Sequence, residues 1–233
     1  VSMDTSGALL HQRGYRQKQA KAPLRENLAA GVLICCGWKG ARAFMDPMCG
    51  SGTLAIEAAL LASGIPPGAN RRFGFMKRPD FEQGLWDSVL ERALEDKIRP
   101  VYPILGSDRD AGAVAASQEN ATRAGVGDFV EFSQCSISGI RAPDEEGILV
   151  CNPPYGRRIG QKNKLRDLYA ALGNVVRARL PSWNVGMVTT DKILVSHTKL
   201  GMKSASPFLP HGGLKVQVFL RHPLDDTLKL QGE

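Results

Sequence analysis

Strand-like and helix-like segments alternate along the 233 residues, which predicts one doubly wound α/β domain closed by a C-terminal antiparallel hairpin. Three observations carry the prediction. Short apolar runs of strand length recur between stretches with helical apolar spacing, and no internal repeat interrupts them. Gly50-Ser51-Gly52 falls between a predicted strand and a predicted helix, where open α/β sheets bind nucleotides. Near the end, Pro210-His211-Gly212-Gly213 joins two strand-like segments, a hairpin signal.

Taken in order, residues 1–22 read as an extended or hairpin lead-in with the basic run His11 to Lys18. The chain starts at Val, so we expect a segment before it to be missing. Pro23 opens a helix with Glu26 in its first turn and Leu28, Ala29, Val32 and Leu33 on its apolar side, to about Cys36. Ala41 to Met45 is a strand, and a helix from Thr53 stops at Gly64-Ile65-Pro66-Pro67. Residues 64–84, rich in Gly, Pro, Arg and Phe, form an irregular excursion before a helix from Leu85 to Lys97. Ile104 to Asp108, Phe129 to Phe132, Ile148 to Cys151 and Val185 to Thr189 are strands. Asp110 to Ala124 and Leu165 to Leu180 are helices, and Lys192 to Lys199 is a helix or turn. Lys203 to Phe208 and Leu214 to Arg221 complete the hairpin.

Composition narrows the function. No apolar run approaches the length of a membrane span, and the start carries no signal-peptide pattern. Five cysteines lack ligand-like spacing and four histidines lie far apart, so we expect reduced thiols in a cytoplasm and no metal site. A net charge of +7 favours a polyanionic partner.

The glycine loop is preceded by Asp46-Pro47, followed by a helix, and joined by an acid, Asp108, that ends the next strand. Glycines let backbone approach a ligand, and a helix N-terminus offers free N–H groups to a carboxylate. Asp108 can accept from both hydroxyls of a ribose, while Asp46 suits a cationic group. The third glycine of the dinucleotide fingerprint is replaced by Leu54 or Ala55, which argues against NAD, and no lysine follows the loop, which excludes a P-loop. A second corner follows Ile148-Leu149-Val150-Cys151, where Asn152-Pro153-Pro154-Tyr155-Gly156 cannot continue a sheet. The prolines stiffen an extended loop that presents an amide, a backbone carbonyl and a ring. Such a set suits a planar group bearing an NH2, with acceptors for the amino hydrogens and a ring to stack on its face.

Asn152-Pro153-Pro154-Tyr155 resembles the catalytic motif of the S-adenosylmethionine-dependent amino methyltransferases. Together with Asp46-Pro47-Met48-Cys49-Gly50-Ser51-Gly52-Thr53 and the lead-in Lys21 to Ala30, it resembles the bacterial 23S ribosomal RNA guanine-N2 methyltransferases. Phe81 to Leu90, with Trp86, is similar to that family's inserted segment, so the resemblance covers nearly the whole chain. It implies a class I methyltransferase fold with sheet order 3-2-1-4-5-7-6 and strand 7 antiparallel. It also implies that residues 23–233 are a catalytic domain, and that the missing segment is an RNA-binding THUMP domain. S-adenosyl-L-methionine would lie on Asp46, Met48, Cys49, Gly50, Ser51, Gly52, Thr53 and Asp108, with Glu26 and Asn27 beside its methionine portion. Many relatives place an acid after the third strand. Here Ser133-Gln134-Cys135-Ser136 has none, which leaves Gln134 or the backbone to meet the adenine. Asn152, Pro153 and Tyr155 would be catalytic, on RNA.

Basic residues flank both corners: Arg157, Arg158, Lys162, Lys164 and Arg166 after the Asn-Pro-Pro-Tyr loop, and Arg71, Arg72, Lys77 and Arg78 in the excursion, where Phe73 and Phe75 interleave. Such residues suit phosphate contact and base stacking. Arg13, Tyr15 and Arg16 are weaker candidates for the same contacts, with packing against the missing domain as the alternative. Two other functions share the motifs, an N6-adenine DNA methyltransferase and a non-catalytic RNA-binding module; a protein glutamine methyltransferase also uses Asn-Pro-Pro-Tyr. The lead-in and excursion favour RNA, and the intact Asn152 favours an enzyme.

Overall fold

A computed structural model describes residues 4–17, 24–155 and 162–222, without the side chain of Lys162. The expected elements Pro23, Gly156, Arg157 and Arg158 lie outside the described residues. The central strands are β1 (Ala43–Asp46), β2 (Ile104–Asp108), β3 (Glu131–Gln134), β4 (Gly147–Cys151) and β5 (Asn184–Thr189), all parallel. The tail adds β6 (Lys203–Ser204), β7 (Leu209–His211) and β8 (Leu214–Arg221), with β8 antiparallel to β5. The order β3-β2-β1-β4-β5-β8-β6 reproduces the expected topology, with β8 as its antiparallel strand. The short β7 is an eighth strand that folds back onto β8 through the Gly212-Gly213 turn.

Two apolar layers sandwich the sheet, as a parallel sheet buried on both faces requires. On one face pack α1 (Glu26–Cys35), α2 (Thr53–Ala62) and α4 (Ala111–Ala124), around Leu33, Phe44, Ile56, Ile104 and Ile148. On the other pack α5 (Lys162–Arg179) and α6 (Lys192–His197), around Met45, Leu149, Leu172, Trp183 and Met187. Strand β4 is buried along its whole length, which explains its unbroken apolar run. Helix α2 is buried from Thr53 to Leu60, so it shows no polar face. Both Asp110 and Asp191 cap the helices that follow them, accepting from backbone N–H groups of the first turn.

Three expectations shift. Strand β3 begins two residues later than predicted, because Gly127–Phe129 closes a 3-10 turn in which the Phe129 N–H donates to the Val126 carbonyl. Helix α3 (Gln83–Leu94) begins two residues and ends three residues earlier than the expected Leu85 to Lys97, and it lies on the surface with no buried residue. The excursion does not hold out free rings. Phe73 stacks on Phe75 with centroids 5.3 Å apart, and Trp86 packs edge-on against both, while Phe81 lies beyond Phe75. These half-buried rings cover one another, and the Arg71 guanidinium lies 5.1 Å from the centre of the Phe73 ring.

Several of the expected phosphate-binding cations also have internal duties. Arg71 is buried and donates to the carbonyls of Ala8, Leu9 and Gln12, and Arg78 is paired with Asp80. Arg13, Tyr15 and Arg16, expected to face another domain, instead turn into this one. The reason is charge: Glu57 and Glu26 are buried carboxylates, and these residues supply their partners.

Candidate functional site

The carboxyl ends of β1, β2, β3 and β4 meet along one edge of the sheet, and each releases a predicted site residue there. Asp46 ends β1, Asp108 ends β2, Gln134 ends β3 beside Asp108 in register, and Asn152 follows β4. Residues 47–52 then turn tightly into α2. The Cys49 N–H donates to the Ser107 carbonyl at 2.9 Å, tying the loop to β2, and the Gly52 N–H donates to the Cys49 carbonyl at 2.8 Å. Asp108 receives the Gly50 N–H on Oδ2 at 3.1 Å and the Asp110 N–H on Oδ1 at 3.0 Å. One carboxylate thus joins the glycine loop to the start of α4.

Gly52 carries φ of +85° and caps α2 without any side-chain bond to the first turn. A Cβ there would stand 2.8 Å from Ser117 Cβ and 3.0 Å from the Phe132 ring, so only glycine fits. The first-turn N–H groups of α2 therefore face the carboxyl edge uncapped, as an anion site requires. Ser51 is anchored from below: the buried Asn120 side chain donates to its carbonyl at 3.0 Å. Asn120, Ser117 and Phe132 were not singled out from sequence; the available signal was a polar residue at a core-facing position of α4.

Asp46 is 1% exposed, and its carboxylate accepts one bond, from the Met48 N–H at 3.2 Å. No cation pairs with it among the described residues. Burial, helped by the neighbouring Asp108 charge and only partly opposed by the Met48 bond, pushes its pKa up to about 8. A buried acid without a counter-ion is suited to a ligand that brings a positive charge. Burial also raises the Cys49 and Cys151 thiols well above their usual range, so both are neutral packing groups. Met48 packs on the α5 side of the sheet, and Thr53 is buried.

Asn152 is partly exposed as a residue, yet its Oδ1 is fully buried and has no hydrogen-bond partner among the described residues. Pro153 is buried and Pro154 exposed, while Tyr155 is half-buried against the α1–α2 layer, which raises its phenol pKa. Beneath the loop the Tyr169 hydroxyl lies 3.1 Å from Thr189 Oγ1 and 3.5 Å from the Pro154 carbonyl. Tyr169 and Thr189, both missed in the sequence, buttress the loop from α5 and β5.

The structure thus gathers Asp46, Gly50, Ser51, Gly52, Asp108 and Gln134 at one corner and Asn152 on the adjacent strand. Gln134 is exposed and donates to the Arg109 carbonyl at 3.1 Å. No hydrogen bond or ion pair among the described residues joins Glu26 to this corner; it is 2% exposed at the start of α1 and ion-paired with Arg16 at 3.0 Å, and Asn27 beside it is exposed. Uncapped helix N–H groups, a ribose-competent acid and an unpaired buried acid form a donor and acceptor set that fits an adenosyl amino acid: carboxylate, hydroxyls and ammonium.

Residues 13–206 match the family model described as RMKL-like, methyltransferase domain. The chain is 43% identical over 206 residues to ribosomal RNA large subunit methyltransferase K/L of Shewanella amazonensis, covering 86% of this chain and 29% of that protein. Among solved structures, SMU.472 complexed with SAH superposes with a TM-score of 0.84 at 32% identity, over 94% of this chain and 57% of that one. A Listeria monocytogenes structure, named a predicted N6-adenine-specific DNA methylase, gives 0.82 at 34% identity, over 94% and 56%. The chain spans between about a quarter and three fifths of the length of these proteins.

Proposed function

The chain belongs to the family of RMKL-like methyltransferase domains, and from that premise we propose that it transfers the methyl group of S-adenosyl-L-methionine to the exocyclic N2 of a guanine in 23S ribosomal RNA. The observation that carries the proposal is the buried Oδ1 of Asn152, which has no hydrogen-bond partner among the described residues. A buried amide oxygen left without a donor costs free energy, on the order of 1–3 kcal/mol, and a substrate amino group would relieve it.

The cofactor supplies an electrophilic methyl group on a sulfonium. The uncapped N-terminus of α2 would hold its carboxylate, Asp46 its ammonium and Asp108 its ribose hydroxyls, with Gln134 toward the adenine. An exocyclic base nitrogen is a poor nucleophile because its lone pair is delocalised into the ring. Asn152 Oδ1 and the Pro153 carbonyl accept its two hydrogens and hold the nitrogen pyramidal, which frees the lone pair. The nitrogen gives up one proton after or during transfer, so the residues contribute positioning and electrostatics rather than a strong base. Tyr155 stacks on a base taken out of its helix.

The name of the Shewanella relative and the +7 charge support RNA as substrate. The relatives' greater length supports a further RNA-binding unit, a THUMP domain, in the full-length protein. The name of the Listeria neighbour keeps adenine-N6 of DNA as the second reading, since the same loop serves that chemistry. Single-turnover transfer from labelled cofactor to unmodified ribosomal RNA, with duplex DNA in parallel, separates the two. Asn152→Ala should slow transfer to RNA by roughly 10²–10³ with cofactor affinity intact, as loss of a preorganised electrostatic contact does. An Asn152→Ala protein as fast as the parent refutes the amino-methyltransferase reading.

A further inference from the structure

Resting on the reading that Asn152 accepts from the guanine amino group, we propose that His211 is a base-binding residue whose Nδ1 accepts the N1–H of the same guanine. Side chains alternate between the two faces along a strand. Ile148 and Val150 of β4 lie in the α1–α2 layer, and Leu149 and Cys151 lie in the other. The alternation carries Asn152 to the α1–α2 side, where Tyr155 also packs. Asp46, two residues after Phe44, and Asp108, four after Ile104, fall on that side as well. In the order β2-β1-β4-β5-β8 the two acids stand on one flank of Asn152, and the ends of β5 and β8 on the other. A methyl group arriving from the flank of the acids meets the amino nitrogen at Asn152. The base ring then extends the opposite way, over the end of β5.

Beyond that place stands the β7–β8 hairpin. Strand β5 itself continues into α6, whose Leu194 and Val195 turn to the other layer. Thr189 at the end of β5 pairs with Gln217, and β8 reaches three residues further, to Leu214, roughly 10 Å past this edge. There Leu214 pairs with His211, and Val216 with Leu209. Val216 lies in the α1–α2 layer and Leu209 packs on it, so His211, two residues on, faces the same side as Asn152 and Tyr155. Two strand spacings, again roughly 10 Å, separate β4 from β8, a span for one base hydrogen-bonded at both ends.

His211 is 7% exposed, and its Nδ1 is enclosed without a hydrogen-bond partner among the described residues, the condition of Asn152 Oδ1 too. Such an atom is destabilising unless something supplies its partner. Burial, with the charges of Arg25 and Arg16 added, lowers the imidazole pKa and keeps the ring neutral, with one nitrogen as an acceptor. Guanine carries a hydrogen on N1 beside its amino group, whereas adenine has only a lone pair there. An acceptor at Nδ1 therefore selects guanine. Since both protein atoms are enclosed, the hairpin and the Asn152 loop must part as the base enters.

The test is single-turnover transfer from labelled S-adenosylmethionine to unmodified 23S ribosomal RNA by the parent chain, His211→Phe and His211→Asn, with cofactor calorimetry and thermal unfolding of each. His211→Phe keeps a planar ring without the acceptor, and should slow transfer about tenfold at unchanged cofactor affinity, as loss of one hydrogen bond does. His211→Asn can set its Oδ1 where Nδ1 stands, and should stay within about threefold of the parent. A histidine that only packs would respond the other way. Phenylalanine would remove an unpartnered polar atom from an apolar layer, so that variant would melt higher and transfer at the parental rate. His211→Leu takes its place if it does not fold. Parental rate in the Phe or Leu variant, an Asn variant as slow as the Phe variant, or cofactor affinity that falls in step with the rate overturns the proposal alone. A parent chain that binds cofactor but transfers no methyl group to the RNA overturns the reading beneath it, and the proposal with it.

Discussion

Cofactor binding should release a proton from Asp46. Its folded pKa of about 8 lies above the ordinary carboxylate value because burial disfavours the charge. The sign follows from linkage. The folded, ligand-free protein binds a proton that the unfolded chain has lost, so its stability declines as pH rises from roughly 4 to 8. A cofactor ammonium beside Asp46 prefers the ionised form and must displace that proton. Affinity is then proportional to the ionised fraction, and rises up to tenfold per pH unit below 8. Between pH 5.5 and 7, where the cofactor's own amine stays charged, the gain is about thirtyfold. Calorimetry at several pH values gives the slope, and buffers of different ionisation enthalpy give the number of protons, close to one at pH 6. Asp46→Asn, which keeps the shape and cannot titrate, should bind more weakly and with a flat profile. A parent protein with flat affinity over this window, or an Asn variant that keeps the slope, refutes the role of Asp46.

Two further substitutions probe the neighbouring groups. Asp108→Ala should weaken the cofactor by about 1–3 kcal/mol through lost charge-assisted bonds to the ribose. It also frees the Gly50 and Asp110 N–H groups that the carboxylate now holds, so a small fall in melting temperature is expected beside the change in affinity measured by calorimetry. Tyr155→Phe should transfer methyl groups nearly as fast as the parent, since stacking uses the ring, whereas Tyr155→Ala should lose on the order of 1–3 kcal/mol in single-turnover experiments on RNA.

The parts of this molecule that could be read from sequence are those where local chemistry and global position coincide. β4 is apolar along its length because both its faces are covered, and the Asn152-Pro153-Pro154 turn ends it because proline cannot donate to a ladder. The glycine loop is legible for the same reason: Gly52 occupies a backbone region and a space that no other residue tolerates. Even the misplaced start of β3 is a local matter, because the 3-10 turn Gly127–Phe129 takes up the aromatic that opens the predicted strand.

The lead-in and the excursion could not be read this way, because the meaning of a charge depends on what lies across from it. A basic run resembles a phosphate-binding surface until its partners are known. Arg13 and Arg16 find theirs in Glu57 and Glu26, 44 and 10 residues away, and Arg71 in carbonyls about 60 residues earlier. Those acids sit in helices that would otherwise be apolar on the facing side, and a buried carboxylate demands a cation. The acids of α1 and α2 were therefore the clue to where the arginines go. The same argument limits the surface open to the proposed RNA substrate: with Arg13, Arg16 and Arg71 committed to the interior and Arg78 paired with Asp80, the excursion offers Arg72 and Lys77, both exposed. On that proposal, phosphate contacts would come largely from elsewhere, beginning with Lys164 and Arg166 on α5, which follow the Asn152 loop in the chain.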